Sequence, residues 1–245
     1  MQANLKRAAP IHRPFVDGPP LAILCDLDDT IFDFSACSAQ ALRRACYTFS
    51  LPFDQACYQA YRNIDDALWE GQRAGLYTVR QVMETRFVRW LEQRGTPADA
   101  HAFAQTYEAE LGQSCVLEPG VRESLTSLAR MCPLYAASNG LTAMQRKRLA
   151  KAGLLALFTD VFVSDAIGYE KPDIRFFQAC LSKMKRAAGP SIWMIGDNVT
   201  ADMAGARQAG LSTCFYARRY PGAEEVPADR SFHDFCELPL LFHTK

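Results

Sequence analysis

The stretch that decides the fold is "LAILCDLDDTIFDF", residues 21–34. "LAIL" is a short apolar run that reads as a buried strand, and it runs directly into Asp26, Asp28, Asp29 and Asp33. Carboxylates so close together repel one another and lose hydration wherever the strand end is covered. A core strand that ends in such a knot of charge is either a solvated acidic turn or one side of a site that holds something positive. In extended chain, Asp26 and Asp28 project to the same side, whereas Asp29 falls on the other phase. Asp33 lies farther on, in the turn that follows.

From residue 36 to about 115 no strand is convincing. "AQALRRACYTF", "QACYQAYRNIDDALWEGQRAG", "VRQVMETRFVRWLEQRG" and "ADAHAFAQTYEAELGQ" repeat apolar residues at three- and four-residue intervals, with Gly75, Gly95, Pro97 and Gly112 as punctuation. This predicts an insert of four or five helices. Beyond "LEPGV" the pattern alternates. "PLYAAS" (133–138), "DVFVS" (160–164), "SIWMIGD" (191–197) and "STCFYA" (212–217) read as strands. Helices are expected near 121–131, 142–152, 173–187 and 200–209. Thr142 and Thr200 are candidate N-caps, and Gly153 and Gly210 candidate residues just past a helix end. Ile174, Phe177, Leu181 and Met184 form a stripe that reads as core. Strand–helix alternation implies a doubly wound, Rossmann-like parallel sheet, here with an all-helical cap inserted. The expected division is a leader at 1–20, a core at 21–35 and 117–245, and a cap at 36–116.

In such sheets ligands gather at the carboxyl ends of the strands. The first strand ends at Asp26 and Asp28, the second at Ser138-Asn139-Gly140, and the third runs on to Lys171 before Pro172. The fourth ends in "GDNVTAD", which carries Asp197 and Asp202. Asp26, Asp28 and Asp197 offer hard oxygens that suit Mg²⁺. Ser138 and the N–H groups after it can hold phosphate oxygens, and Lys171 supplies a compact positive charge. With that charge in place, a carboxylate can approach phosphorus and form an aspartyl-phosphate. Each piece alone is an ordinary turn or surface residue; the four together, each after a strand, are not. A calcium loop fails, because counting from Asp26 its sixth and twelfth positions are Ile31 and Cys37. Sequence patterns for P-loop NTPases, zincins and serine hydrolases do not occur.

The bulk composition excludes other classes. Lys+Arg and Asp+Glu both number 27, which gives no whole-chain pull toward a nucleic-acid polymer or an anionic membrane. The nine cysteines are odd in number and include no C-x-x-C pair, so neither a disulfide framework nor a zinc site is expected. No apolar run is long enough to span a bilayer, and the first twenty residues lack the apolar core of a secretory signal. The chain therefore reads as cytoplasmic, a monomer or homodimer.

In this order "DLDDT", "SNG", the lysine of "GYEKPD" and "GDNVTAD" resemble the four motifs of the haloacid dehalogenase superfamily. The resemblance covers residues 21 to about 220 and includes a helical cap after the first motif. It implies Asp26 as nucleophile and Asp28 as the acid that protonates the leaving oxygen and then activates water. It also implies Mg²⁺ held by Asp26, the Asp28 backbone carbonyl and Asp197, with Asp202 supporting its outer shell. Phosphate would be bound by Ser138, Asn139, Gly140 and Lys171. The dehalogenase branch lacks the second aspartate, so Asp28 favours phosphoryl transfer. No lysine occurs between Ala36 and Val116, which argues against the branch that forms a Schiff base from the cap. "DLDDTIFDF", the stretch from Ile64 to Gly95 and "SNGLTAMQRKRLAKAGL" are similar to the bacterial pyrimidine 5′-nucleotidases. The resemblance therefore points to a small phosphorylated metabolite, a nucleotide, as substrate. Phe32 and Trp69 are the candidates to face the cleft, while Phe87 and Trp90 read as cap packing. The alternatives are a phosphatase or phosphomutase for sugar phosphates or phosphoglycolate, or a non-catalytic binding protein of the same fold. Connections near Ser35 and Leu117 would let the cap move as a hinged body.

Overall fold

A computed structural model describes residues 19–220 and 226–242. The expected leader therefore lies almost wholly outside the described residues. Six strands form one sheet in the order β3-β2-β1-β4-β5-β6, and every pairing is parallel. They are β1 (Ala22–Cys25), β2 (Leu134–Ser138), β3 (Phe158–Val163), β4 (Ile192–Gly196), β5 (Ser212–Tyr216) and β6 (Arg230–Phe232). Along β1, Ile23 and Cys25 join one apolar cluster and Ala22 and Leu24 another; Trp193 and Ile195 of β4 alternate with Ile192 and Met194 in the same way. Strands apolar on both faces need cover on both faces, which accounts for runs such as "LAIL" that do not alternate with polar residues.

Ten α-helices accompany the sheet among the described residues. Between β1 and β2 come α1 (Phe34–Thr48), α2 (Gln55–Arg73), α3 (Val79–Gln93), α4 (Ala100–Leu111) and α5 (Val121–Ala129). After β2 come α6 (Thr142–Lys151), α7 (Ser164–Ile167), α8 (Ile174–Met184), α9 (Gly205–Gln208) and α10 (Leu238–Phe242). The first four pack round Tyr61, Phe87, Trp90, Phe103 and Tyr107, where the Tyr61 and Phe87 rings stack at 5.3 Å. Phe87 and Trp90 are thus fully buried packing residues. The stripe on α8 is core, with Phe177, Leu181 and Met184 buried against the sheet. No helix among the described residues is long and apolar enough to cross a membrane.

The segments that enter and leave the four helices pair with each other. Phe32 and Leu117 form an antiparallel bridge, Asp33 N–H donates to Val116 O at 3.0 Å, and Glu118 N–H donates to Ile31 O at 3.0 Å. Arg219 grips this junction, bonding Asp29 at 2.7 Å and Asp33 at 2.8 Å while also pairing with Glu118.

Two local expectations need correction, and one strand is new. Thr142 does not cap α6: Leu141 occupies that position without a side-chain bond, and Thr142 instead binds Asp165. Thr200 does not cap the following helix either. Asn198 does, accepting from the N–H groups of Thr200 and Ala201, and the segment Val199–Ala204 is wound as a π-helix before α9. The short edge strand β6 is an addition that the sequence pattern does not announce.

Candidate active site

The sheet order reverses about β1, because the chain builds outward to β3 and then returns to add β4 beside β1. The carboxyl ends of β1, β2 and β4 therefore open into one crevice. Asp26 follows β1 directly and is buried. Lys171, also buried, reaches it from the loop before α8, with Nζ 2.6 Å from Asp26 Oδ1, 2.6 Å from Asp202 Oδ1 and 2.8 Å from Ala137 O. The Asn139 side chain fixes that loop: its Oδ1 accepts from Lys171 N–H and its Nδ2 donates to Lys171 O, both at 2.8 Å.

Asp197 follows β4 and accepts a 2.9 Å bond from Thr30 Oγ1. Asp202 folds back against Gly196, where a Cβ would come within 2.2 Å of its Oδ2. Only glycine at the end of β4 leaves room for that carboxylate. Asp26, Asp197 and Asp202 each bring one oxygen within 4.8 Å of the others. Three carboxylates face one ammonium, so the cluster carries excess negative charge. Burial pushes the Asp26 carboxyl up to about 7, with repulsion from Asp202 and Asp28 adding to it and Lys171 opposing it. Burial, then Asp26 and Asp202, raise Asp197 well above the usual carboxylate range. All-oxygen donors and uncompensated negative charge fit a hard divalent cation, which would neutralise what Lys171 alone does not.

The Ser138 hydroxyl accepts from Gly140 N–H at 3.1 Å and from Gln145 Nε2 at 3.0 Å, leaving its own proton for another partner. Asp28 lies in the same cavity, but its carboxylate is not in the acidic cluster. It turns toward α6, where Gln145 Nε2 bonds Oδ2 at 2.6 Å and Arg148 pairs with Oδ1. Asp29 adopts a left-handed backbone, φ 61°, and Asp33 caps α1 through Ala36 N–H.

Above these groups the four-helix insert roofs a cavity of about 220 Å³. Trp69, half-buried, lines it together with Phe34, Arg62, Gln72, Arg73 and Met83. Phe32 does not. It is fully buried in the junction, beneath the Arg148 guanidinium at 4.2 Å, because its strand-like pairing with Leu117 turns the ring inward. Gln145 and Arg148 escape sequence reasoning. Their one signal is a spacing of three, followed by Leu149, on a helix whose other residues are mostly polar.

The sheet topology, with acids and a lysine gathered beside the point where strand order reverses, is that of a doubly wound α/β enzyme core. A model of the haloacid dehalogenase-like hydrolase family matches residues 20–210, and the chain belongs to that family. It is 34% identical to the HAD-hydrolase YfnB of Bacillus subtilis over 193 residues, 79% of this chain and 82% of that one. It is also 34% identical to the pyrimidine 5′-nucleotidase PynA of Streptococcus pneumoniae over 195 residues, with the same coverage of each. A crystal structure of Bacillus subtilis YfnB bound to magnesium superposes with a TM-score of 0.86 at 30% identity, covering 92% of this chain and 99% of that one. The family, the parallel-sheet fold and the character of the chain as a hydrolase are therefore shown.

Proposed function

We propose that this hydrolase is a Mg²⁺-dependent phosphomonoesterase that works through an aspartyl-phosphate on Asp26 and prefers pyrimidine nucleoside 5′-monophosphates. The observation that carries the reading is Asp28 in the same cavity as the Lys171-paired Asp26. Halide departs without a proton, whereas the alkoxide of a phosphomonoester needs one. An acid two residues from the nucleophile answers that need.

In the first half, a carboxylate oxygen of Asp26 bonds to phosphorus. The bond from phosphorus to the leaving oxygen breaks with its electron pair on that oxygen, and Asp28 gives it a proton. In the second half, a water oxygen bonds to phosphorus while its proton passes to Asp28. The bond to Asp26 then breaks, releasing inorganic phosphate and restoring both aspartates. Lys171, the Ser138 hydroxyl and the backbone at Asn139 and Gly140 hold the phosphate oxygens. Asp26, Asp197 and the Asp28 backbone carbonyl, supported by Asp202, would hold Mg²⁺, which would supply positive charge against the anionic phosphoryl group.

The nucleotide preference rests on the roof and on the relatives. Trp69 offers an aromatic face and Arg73 a donor in the same cavity, where Gln72 and Arg62 are already engaged by Glu170 and Asp66, a set that suits a nucleobase better than a small acid. The likeness to PynA points the same way. Turnover of a panel of phosphomonoesters with Mg²⁺ tests the preference: UMP and dUMP are expected to lead. Far faster release from phosphoglycolate or a hexose phosphate would replace the substrate class. Asp26→Asn is expected to abolish turnover, by about 10³-fold or more, as loss of a nucleophile does. Persistent turnover in the pure variant would remove Asp26 from that role.

A further inference from the structure

Gln145, Arg148 and Leu149 are fully buried at the spacing of one helical stripe on α6. A buried guanidinium must find partners to offset its lost hydration. Arg148 finds them on three sides. Nη1 pairs with Asp28 Oδ1 and donates to Gln145 Oε1 at 3.0 Å, and Nε donates to Ser114 O at 3.1 Å. The guanidinium also lies over Phe32. Gln145 takes the other Asp28 oxygen. A Cβ at residue 140 would come within 2.7 Å of Gln145 Nε2, so the turn after β2 leaves just enough space for that amide.

One helix face thus grips Asp28 by both oxygens. The same guanidinium touches Phe32, just before α1, and Ser114, just after α4. We propose that Gln145 and Arg148 are positioning residues that aim Asp28 at the leaving oxygen and tie that aim to the two segments carrying the helical insert. The proposal rests on the phosphomonoesterase reading above. Proton transfer is sensitive to donor placement, so a misaimed Asp28 costs most where the leaving oxygen needs the proton most.

The test compares two esters in Arg148→Met and, as the conservative variant, Arg148→Lys. p-Nitrophenyl phosphate releases a stable phenolate without help, whereas an alkyl ester such as UMP does not. kcat/KM covers steps only through the first irreversible one, so the shared hydrolysis of the aspartyl-phosphate drops out. Arg148→Met is expected to lower kcat/KM for the alkyl ester by roughly 10- to 100-fold and for the aryl ester by no more than about threefold. In an Asp28→Ala background it is expected to cause no further loss on the alkyl ester. Equal losses on both esters, a gain on the alkyl ester, or losses that multiply in the double variant would overturn the proposal. Should Arg148→Met not fold, Arg148→Lys, which keeps a buried cation beside Asp28 but loses the planar fork that also holds Gln145 and Ser114, carries the same comparison, and the same outcomes support or overturn the proposal. If the unaltered protein turned over neither ester, the phosphomonoesterase reading itself would fall; equal losses with that activity intact would remove only the positioning role.

Discussion

Two buried charge clusters, one at the rim of the sheet and one inside the helical insert, are built to different tolerances. At the rim, Lys171 meets Asp26 and Asp202 at 2.6 Å each and a backbone carbonyl besides. In the insert, Asp65 lies between Arg86 at 3.6 Å and Arg62 at 3.7 Å, and neither of its oxygens has a hydrogen-bond partner. Burial raises the Asp65 carboxyl despite both arginines. Asp26 stands at the end of β1, and the segments after β3 and β4 bring Lys171 and Asp202 to it. The insert groups stand on helices that meet only through side chains. The rim cluster is thus held by short direct bonds, and the cluster in the helical insert is the looser of the two.

The largest effect on stability is expected from Lys171→Met, which strands Asp26 and Asp202 as buried unpaired carboxylates. About 3–5 kcal/mol should be lost in urea unfolding with chelator present, along with turnover. Arg86→Met removes one partner of Asp65 but leaves Arg62, so about 1–3 kcal/mol is expected by the same measurement. Equal losses for the two variants would erase the distinction between the clusters. Trp69→Ala is expected to raise KM for a nucleotide roughly tenfold, about 1.4 kcal/mol, with kcat nearly unchanged, because a roof contact binds ground state and transition state alike. A drop in kcat with KM unchanged would place Trp69 nearer the reacting atoms. The exposed pair Arg44–Glu110 sets the floor: Arg44→Ala should change stability by less than about 0.5 kcal/mol.

What can be read from the sequence follows the same division. Asp26 and Asp197 are legible because an apolar run announces each strand and the aspartate comes directly after it. Lys171 lies farther on, past β3 and α7, and is legible only as the charged residue before Pro172 and the next helix. Phe32 fails because its orientation depends on pairing with Leu117, a contact far along the chain that no local period records. Asn198 and Thr200 are both good capping residues, and only the π-helical winding of Val199–Ala204 decides between them. β6 has three residues at the sheet edge, too few to carry a pattern. Arg148 shows the deepest limit: an arginine on a polar helix looks solvated until the acid it meets, Asp28, is brought to it by the fold.

The bridge between Phe32 and Leu117 also bears on how such a molecule can change over generations. The insert leaves and returns through one rung of backbone bonds, so its two ends are held together by the core rather than by its own helices. With its ends fixed in this way, lengthening it adds only a slowly growing entropic cost. New roofs can therefore be tried over an unchanged floor, and the lining of the cavity can drift while the strand ends beneath it stay in register.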